Sequence, residues 1–294
     1  MAEPGRIAQL VAGLRARRRR RLVRRLLAEV DIRELVWVPG PDSPLSFRAT
    51  PVRLAMDYVI GPRTLAFGHW HDEHCALIRE RLQPGYTYRL VDVGANAGLV
   101  SRQLLATPGL HFEGADCFEP DPHNFSLLQA NLAPFAGVRL HAAAVSDVDG
   151  SAELFRGARN AGDVSLTPGA KLRSVDDLRS VTVPLVAAAR VAHDILQSLS
   201  GAQSRLVWKS DTQGHDIKIV AAMPQAFWER VTVALIEVPS VATTAPEISR
   251  FMAVVESFPV RRSIKFAQQD VSPETVRRFI ERGSGSELDL LLAR

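Results

Sequence analysis

The stretch Leu90-Val91-Asp92-Val93-Gly94-Ala95-Asn96-Ala97-Gly98 decides how this chain folds. An apolar run ends around an acidic residue, a turn bounded by glycines follows, and helix-forming residues begin directly after it. A strand buried on both faces reads as such a run. The glycines suit a backbone that turns sharply and lets a neighbour approach closely. Outward from this point, strand-like runs alternate with helical stretches. "YRLVDVG" precedes a helix over about 97–106, "ADCFEP" precedes one over 122–132, and "VRLHAAAVSD" follows. This is the βαβαβ rhythm of a parallel sheet with helices on both faces. Residues 151–187 break the rhythm and read as a hairpin insertion. "RLVWKSD", "VTVALIEV" and "VRRSIKFAQ" then resume the strands, and "ELDLLLAR" supplies the last one.

In open α/β sheets a ligand lies beyond the carboxyl ends of the strands. A dinucleotide site would show G-x-G-x-x-G. Here Asn96 takes the middle position and Asp92 precedes the turn. A carboxylate at that point repels a pyrophosphate and suits a cationic amino acid group, as in S-adenosylmethionine. Glu119 closes the second strand, twenty-one residues past Gly98, where a carboxylate accepts ribose hydroxyls.

"VDVGANAGLVS" followed by "CFEPDPHNFSLLQANL" resembles the nucleotide-binding half of the FkbM-like family of S-adenosylmethionine-dependent methyltransferases. "HAAAVSDVDGSAEL", "LVWKSDTQGHDIKIV" and "VALIEV" resemble later blocks of that family, in order, over about 85–240. The resemblance implies a class I methyltransferase fold: a Rossmann-like, mostly parallel seven-stranded sheet with helices on both faces. It implies that Asp92, Gly94, Ala95, Asn96 and Gly98 surround the methionine end of the cofactor. Glu119 would hold the ribose, Pro120 would lie near the adenine, and Val145 and Ser146 would border it. The family commonly methylates hydroxyls of sugars and secondary metabolites, so the implied partner is a small-molecule hydroxyl acceptor.

The block Lys209-Ser210-Asp211-Thr212-Gln213-Gly214-His215-Asp216 follows the strand "RLVW" and faces the same rim. A hydroxyl acceptor benefits from a group that takes its proton. Asp211 and His215 are the catalytic candidates. The alternatives are that Asp211 caps the next helix and that His215 is solvent-exposed. Lys209 either holds a substrate group or pairs with a carboxylate, and Glu237, ending the fifth strand, faces the acceptor or sits in a rim ion pair. In "GHWHDEH", His69, His71 and His74 suggest a metal, but the spacing differs from established zinc patterns. A lid over the cofactor pocket with Trp70 packing on substrate or adenine, or simple helix entry, is preferred, and no metal is expected.

Charge is unevenly placed. Ten arginines against Glu3, Glu29 and Asp31 make residues 1–33 net +7, which leaves −3 of the total +4 for the remainder. The segment 7–29 reads as an arginine-rich helix, either a nucleic-acid or membrane contact or a solvated helix packing through its leucines. Short β-like runs "ELVWV", "LSFRA" and "RLAMDYVI" and a helix over 72–82 complete an N-terminal helical/β appendage, 1–84, before a methyltransferase domain, 85–294. Cys75 and Cys117 lack metal or redox spacing. No apolar run is long enough to span a membrane, so a soluble cytoplasmic enzyme is expected. The thirty-two arginines against four lysines suggest a GC-rich bacterial gene. A nucleic-acid methyltransferase is the alternative activity, held unlikely because the body is acidic. A non-catalytic binding module is the alternative outside enzymes. The appendage offers a surface for a homodimer.

Overall fold

The computed structural model describes Arg18, Arg21 and residues 34–57, 59–157, 162, 164–166, 179–241, 243–264 and 269–294. The arginine-rich helix read at 7–29 lies outside the described residues, apart from Arg18 and Arg21. The described part opens with β1 (Glu34–Trp37), β2 (Val52–Ala55), α1 (Ile60–Phe67) and α2 (Asp72–Arg79). Next come β3 (Thr87–Val93), α3 (Leu99–Leu105), β4 (Phe112–Phe118), α4 (Pro122–Leu132), β5 (Val138–His141) and β6 (Ala144–Ser146). The insertion holds β7 (Gly150–Arg156), β8 (Val164–Ser165) and β9 (Arg179–Ala187), and leads to α5 (Ala188–Gln197). The last part is β10 (Ser204–Ser210), α6 (Asp216–Ala222), α7 (Gln225–Trp228), β11 (Val231–Pro239), α8 (Ala245–Glu256), β12 (Val260–Ser263), β13 (Gln269–Asp270), α9 (Pro273–Glu281) and β14 (Glu287–Ala293).

The main sheet has the order β13-β12-β14-β11-β10-β3-β4-β5. Strands β5, β4, β3, β10 and β11 are mutually parallel, and β14 runs antiparallel to both of its neighbours. This is the α/β layout of the class I methyltransferase fold. Among the described residues it has eight strands where seven were expected, because the two-residue β13 extends the edge. Alternate residues of the central strands feed two cores. Val91, Val93, Trp208 and Ile236 pack with α5 to α9, while Leu90, Val207 and Leu235 pack with α2, α3 and α4.

Local chemistry sets the element ends. Asp121 caps α4 by accepting from Asn124 N at 2.9 Å, with Pro122 opening the helix. Thr244 and Glu247 close a capping box on α8. Three sequence readings are revised. "LSFRA" forms turns, not a strand. "RLAMDYVI" divides because Asp57 Oδ1 accepts from the amides of Val59, Ile60 and Gly61 at 3.0, 2.7 and 3.2 Å, which starts α1. "VRLHAAAVSD" divides between two sheets, since β6 leaves the main sheet and joins the four-stranded sheet β6-β9-β7-β8.

The appendage is docked by polar bonds as well as by apolar packing. Leu45, Val52, Leu54 and Ile60 share a core with Ala97, Leu99 and Leu127. Arg102, on α3, is wholly buried there. Its guanidinium donates to Leu45 O at 2.8 Å, Asn131 O at 2.8 Å, Thr50 O at 2.9 Å and Thr50 Oγ1 at 2.8 Å. Removing it leaves buried carbonyls without donors. Arg102→Met is expected to lower stability by about 3 kcal/mol in urea unfolding. A change of less than about 1 kcal/mol would show that the appendage does not depend on these bonds.

Candidate active site

The chain runs from β3 outward through β4 to β5, and then from β10 outward through β11 in the other direction. The reversal lies between β3 and β10, where a crevice forms at the carboxyl ends of the strands. A cavity of about 290 Å³ occupies it. Beneath it, Asp92 and Lys209 are register partners on the two strands. Lys209 Nζ lies 3.0 Å from Asp92 Oδ1 and donates to Gly94 O at 2.7 Å, and Ser101 Oγ donates to Asp92 Oδ2 at 2.5 Å. Burial alone would lower the lysine's pKa, but the Asp92 and Asp211 carboxylates hold it above the ordinary value.

The turn after β3 is fixed by close approach. Gly94 has φ +74°, and a Cβ there would sit 2.1 Å from Asp211 O. Asp211 N in turn donates to Val93 O at 3.0 Å. The turn and the loop after β10 therefore touch backbone to backbone. Asn96 also adopts a left-handed conformation, φ 51°, and accepts from Ala97 N at 2.7 Å.

Glu119 joins this turn to the end of β4. Its Oε2 accepts from Asn96 N and its Oε1 from Asp121 N, each at 2.8 Å. The carboxyl group lines the cavity although the residue is only 4% exposed. Burial pushes its pKa from an ordinary 4.5 up to about 7, and the two backbone donors oppose that rise.

The loop 211–215 carries the remaining polar groups. Gln213 Nε2 donates to Asp211 Oδ1 at 2.7 Å and to Glu237 Oε2 at 3.2 Å, so one amide ties both carboxylates. Ser165 Oγ, on β8, donates to Gln213 O at 2.9 Å, which anchors the insertion on this loop. His215 Nε2 lies 3.0 Å from Ser146 Oγ. Burial, then the Lys218 charge, lowers the His215 pKa to about 4, so its ring is neutral at physiological pH. Asp216 accepts from Thr212 N at 3.1 Å and Thr212 Oγ1 at 2.7 Å. Asp211 therefore does not cap α6, and His215 occupies the cap position without a capping bond.

Of the residues singled out in the sequence, Gly94, Ala95, Asn96, Glu119, Pro120, Val145, Lys209, Asp211, His215, Glu237 and Trp70 line the cavity. Three do not. Asp92 shares the sheet face of Leu90, is 0% exposed, and is occupied by Lys209 and Ser101. The structure thus places Asp92 in an internal ion pair and not on the cavity wall, where a contact with a cationic ligand was expected. Lys209 correspondingly follows the carboxylate-pairing alternative. Gly98 faces α4, where a Cβ would meet Leu128 Cδ1 at 2.6 Å, so it serves helix packing. Ser146 turns its hydroxyl to Asp147 and His215.

Sequence reasoning missed Gln213, Glu287 and Asp289, and also Leu154, Val164 and Leu166 of the insertion, all of which line the cavity. Asp289 and Glu287 face Glu237 and Pro239 across the β11–β14 pair. Their signal was the alternating "ELDLLL", which places acidic residues at the start of the antiparallel strand.

No family model matches this chain, and no curated protein matches it. Among solved structures, methyltransferase FkbM from Methylobacillus flagellatus KT is 12% identical over 69% of this chain and 43% of its own, with a TM-score of 0.40. The chain thus spans less than half the length of that protein. Precorrin-6y C5,15-methyltransferase from Geobacter metallireducens GS-15 is 13% identical over 76% and 87%, with a TM-score of 0.31. A candidate rRNA-methylase from Clostridium thermocellum is 7% identical over 76% and 97%, with a TM-score of 0.39. All three names are those of methyltransferases, the two that name a target name different ones, and likenesses this distant select no activity or acceptor. Among the described residues, no helix is long and apolar enough to cross a membrane.

The Glu119 carboxyl gives a pH test. Between its ordinary pKa of 4.5 and about 7 the folded state holds a proton that the unfolded state has released. Its contribution is therefore fully present below 4.5 and is lost as pH rises to 7. Glu119→Gln removes this titration. The stability of the variant minus that of the wild type, from urea unfolding, is expected to rise by up to about 3 kcal/mol from pH 4.5 to 7.5. The amide loses one backbone donor, but that offset is constant with pH. A flat difference would contradict the burial argument.

Proposed function

We propose that this protein is an S-adenosylmethionine-dependent methyltransferase that methylates a hydroxyl group of a small molecule, a sugar or a secondary metabolite. The observation that carries this reading is the buried Glu119 carboxylate, held at the end of β4 against the glycine turn and facing a cavity at the sheet's reversal point. A carboxylate so placed accepts two vicinal ribose hydroxyls. Gly94, Ala95 and Asn96 would hold the methionine end, and Pro120 and Val145 the adenine. The bound cofactor supplies an activated methyl group on a sulfonium.

The chain's own part is to position and deprotonate. Methyl transfer is an in-line displacement: the acceptor oxygen–carbon bond forms as the sulfur–carbon bond breaks, and the hydroxyl proton leaves to a base. Holding the oxygen close and aligned supplies much of the rate. Asp211 is the better base, because it lines the cavity beside the turn and Gln213 orients it. His215, lowered to about 4 and turned to Ser146, accepts a proton poorly. Glu237, tied to the same Gln213, and Trp70 would face the acceptor.

Methylation of nucleic acid is the second reading, motivated by the arginines of 1–33. Asp211, Glu237, Glu287 and Asp289 line the cavity, and carboxylates there oppose a phosphate backbone. This supports the small-molecule acceptor.

Calorimetry is expected to show micromolar binding of S-adenosylhomocysteine, weakened roughly tenfold or more in Glu119→Ala. Asp211→Asn is expected to keep that affinity and to lose methyl transfer by about a hundredfold, read as S-adenosylhomocysteine released over a panel of sugars and phenols. A folded wild type that does not bind the product would leave a binding module on this fold. Full transfer by Asp211→Asn would move the base elsewhere.

A further inference from the structure

The histidine segment before β3 is grouped differently from its sequence spacing. His69 stands apart from the cavity, whereas His71 and His74 line it. Donor atoms of His71, Glu73 and His74 all lie within 4.8 Å of one another. The two imidazoles stack with centroids 4.5 Å apart and planes at 23°. His71 Nδ1 is buried with no hydrogen-bond partner and lies 3.7 Å from Glu73 Oε1. His71 reaches this position through a left-handed backbone, φ 50°, at the entry to α2. Such a conformation is costly for a residue with a Cβ and marks functional sites more often than chance.

We propose that His71, Glu73 and His74 bind a divalent transition-metal ion of the zinc class at the wall of the cavity. Two imidazoles and one carboxylate form a three-ligand set that leaves a coordination position open. Around a tetrahedral ion with bonds of about 2.1 Å, donors stand about 3.4 Å apart, so rotation of these side chains closes the present spacing. Imidazole donors select zinc, cobalt or nickel over magnesium, which prefers oxygen.

The surroundings favour a cation. Asp289 Oδ2 lies 3.9 Å from His74 Nε2, and Asp289 stands opposite Glu237 across the strand pair, where like charges repel. The competing partner is Arg63, whose Nη2 lies 3.9 Å from Glu73 Oε1. Both side chains are more than one-third exposed, so this pair contributes little. Because His71 and His74 line the cavity, a remaining coordination position would open toward it, where an oxygen ligand can complete the shell.

The test uses the full chain, stripped with chelator and titrated with Zn²⁺ by calorimetry and with Co²⁺ by visible absorption. The expected result is one ion per chain with micromolar affinity and a cobalt spectrum of imidazole ligation. His71→Asn, which tolerates the left-handed backbone, and His74→Gln should each weaken binding by about tenfold or more. Glu73→Gln, at an exposed position that does not threaten folding, should weaken it as well, and His111→Ala should not. Mg²⁺ should not compete. Absence of binding, or binding unchanged in all three variants, overturns the proposal. Loss of binding in His111→Ala places the ion elsewhere and overturns it too.

Discussion

The ion pair between Asp92 and Lys209 is the interaction on which the rest of the site depends. Two charges with almost no exposure sit side by side on the central parallel strands, directly under the cavity. Taking them out of water is expensive, and their attraction compensates only where geometry is tight and the remaining donors and acceptors are used. Here Ser101 Oγ donates to the second oxygen of Asp92, and Gly94 O accepts a hydrogen bond from the ammonium. That last bond reaches the cavity lining. It ties the charge pair to the turn, and the turn in turn touches the Asp211 backbone. A local arrangement of four residues thus sets the distance between the two loops that face a ligand.

From this anchor the polar groups spread in two directions. Toward β4, Glu119 binds the amides of Asn96 and Asp121 and turns a carboxyl group into the cavity. Toward β11, Gln213 carries Asp211 and Glu237 on one amide, and Ser165 of the insertion holds Gln213 in place. In the proposed reading the first arm takes the ribose and the second the acceptor. The insertion contributes Leu154, Val164 and Leu166 to the lining, so it is part of the cavity wall.

The strand-turn-helix at 87–105 and the helix at 122–132 were legible in the sequence because their signals are local: an apolar run, a glycine turn, an aspartate before a proline. The partner of Asp92 was not legible. Lys209 lies far along the chain, and only strand order brings them into register. The sequence therefore pointed Asp92 at a ligand and gave no sign of its buried partner. Gly98 shows the same limit: its glycine was readable, but the side chain it makes room for, Leu128, belongs to another helix. "HAAAVSD" carries no mark at the point where the chain leaves one sheet for another. The grouping of His71 with His74 depends on a left-handed residue that composition does not reveal.

The proton balance of ligand binding tests where a ribose sits. S-adenosylhomocysteine is titrated calorimetrically at pH 6.5 in two buffers of different ionisation enthalpy. With its pKa raised to about 7, Glu119 is mostly protonated in the free protein at that pH. Ribose hydroxyls donating to it favour the carboxylate. Release of most of one proton is expected on binding to the wild type, and no release in Glu119→Gln. Binding without proton release in the wild type, or equal release in both proteins, would contradict the placement of the ribose on Glu119.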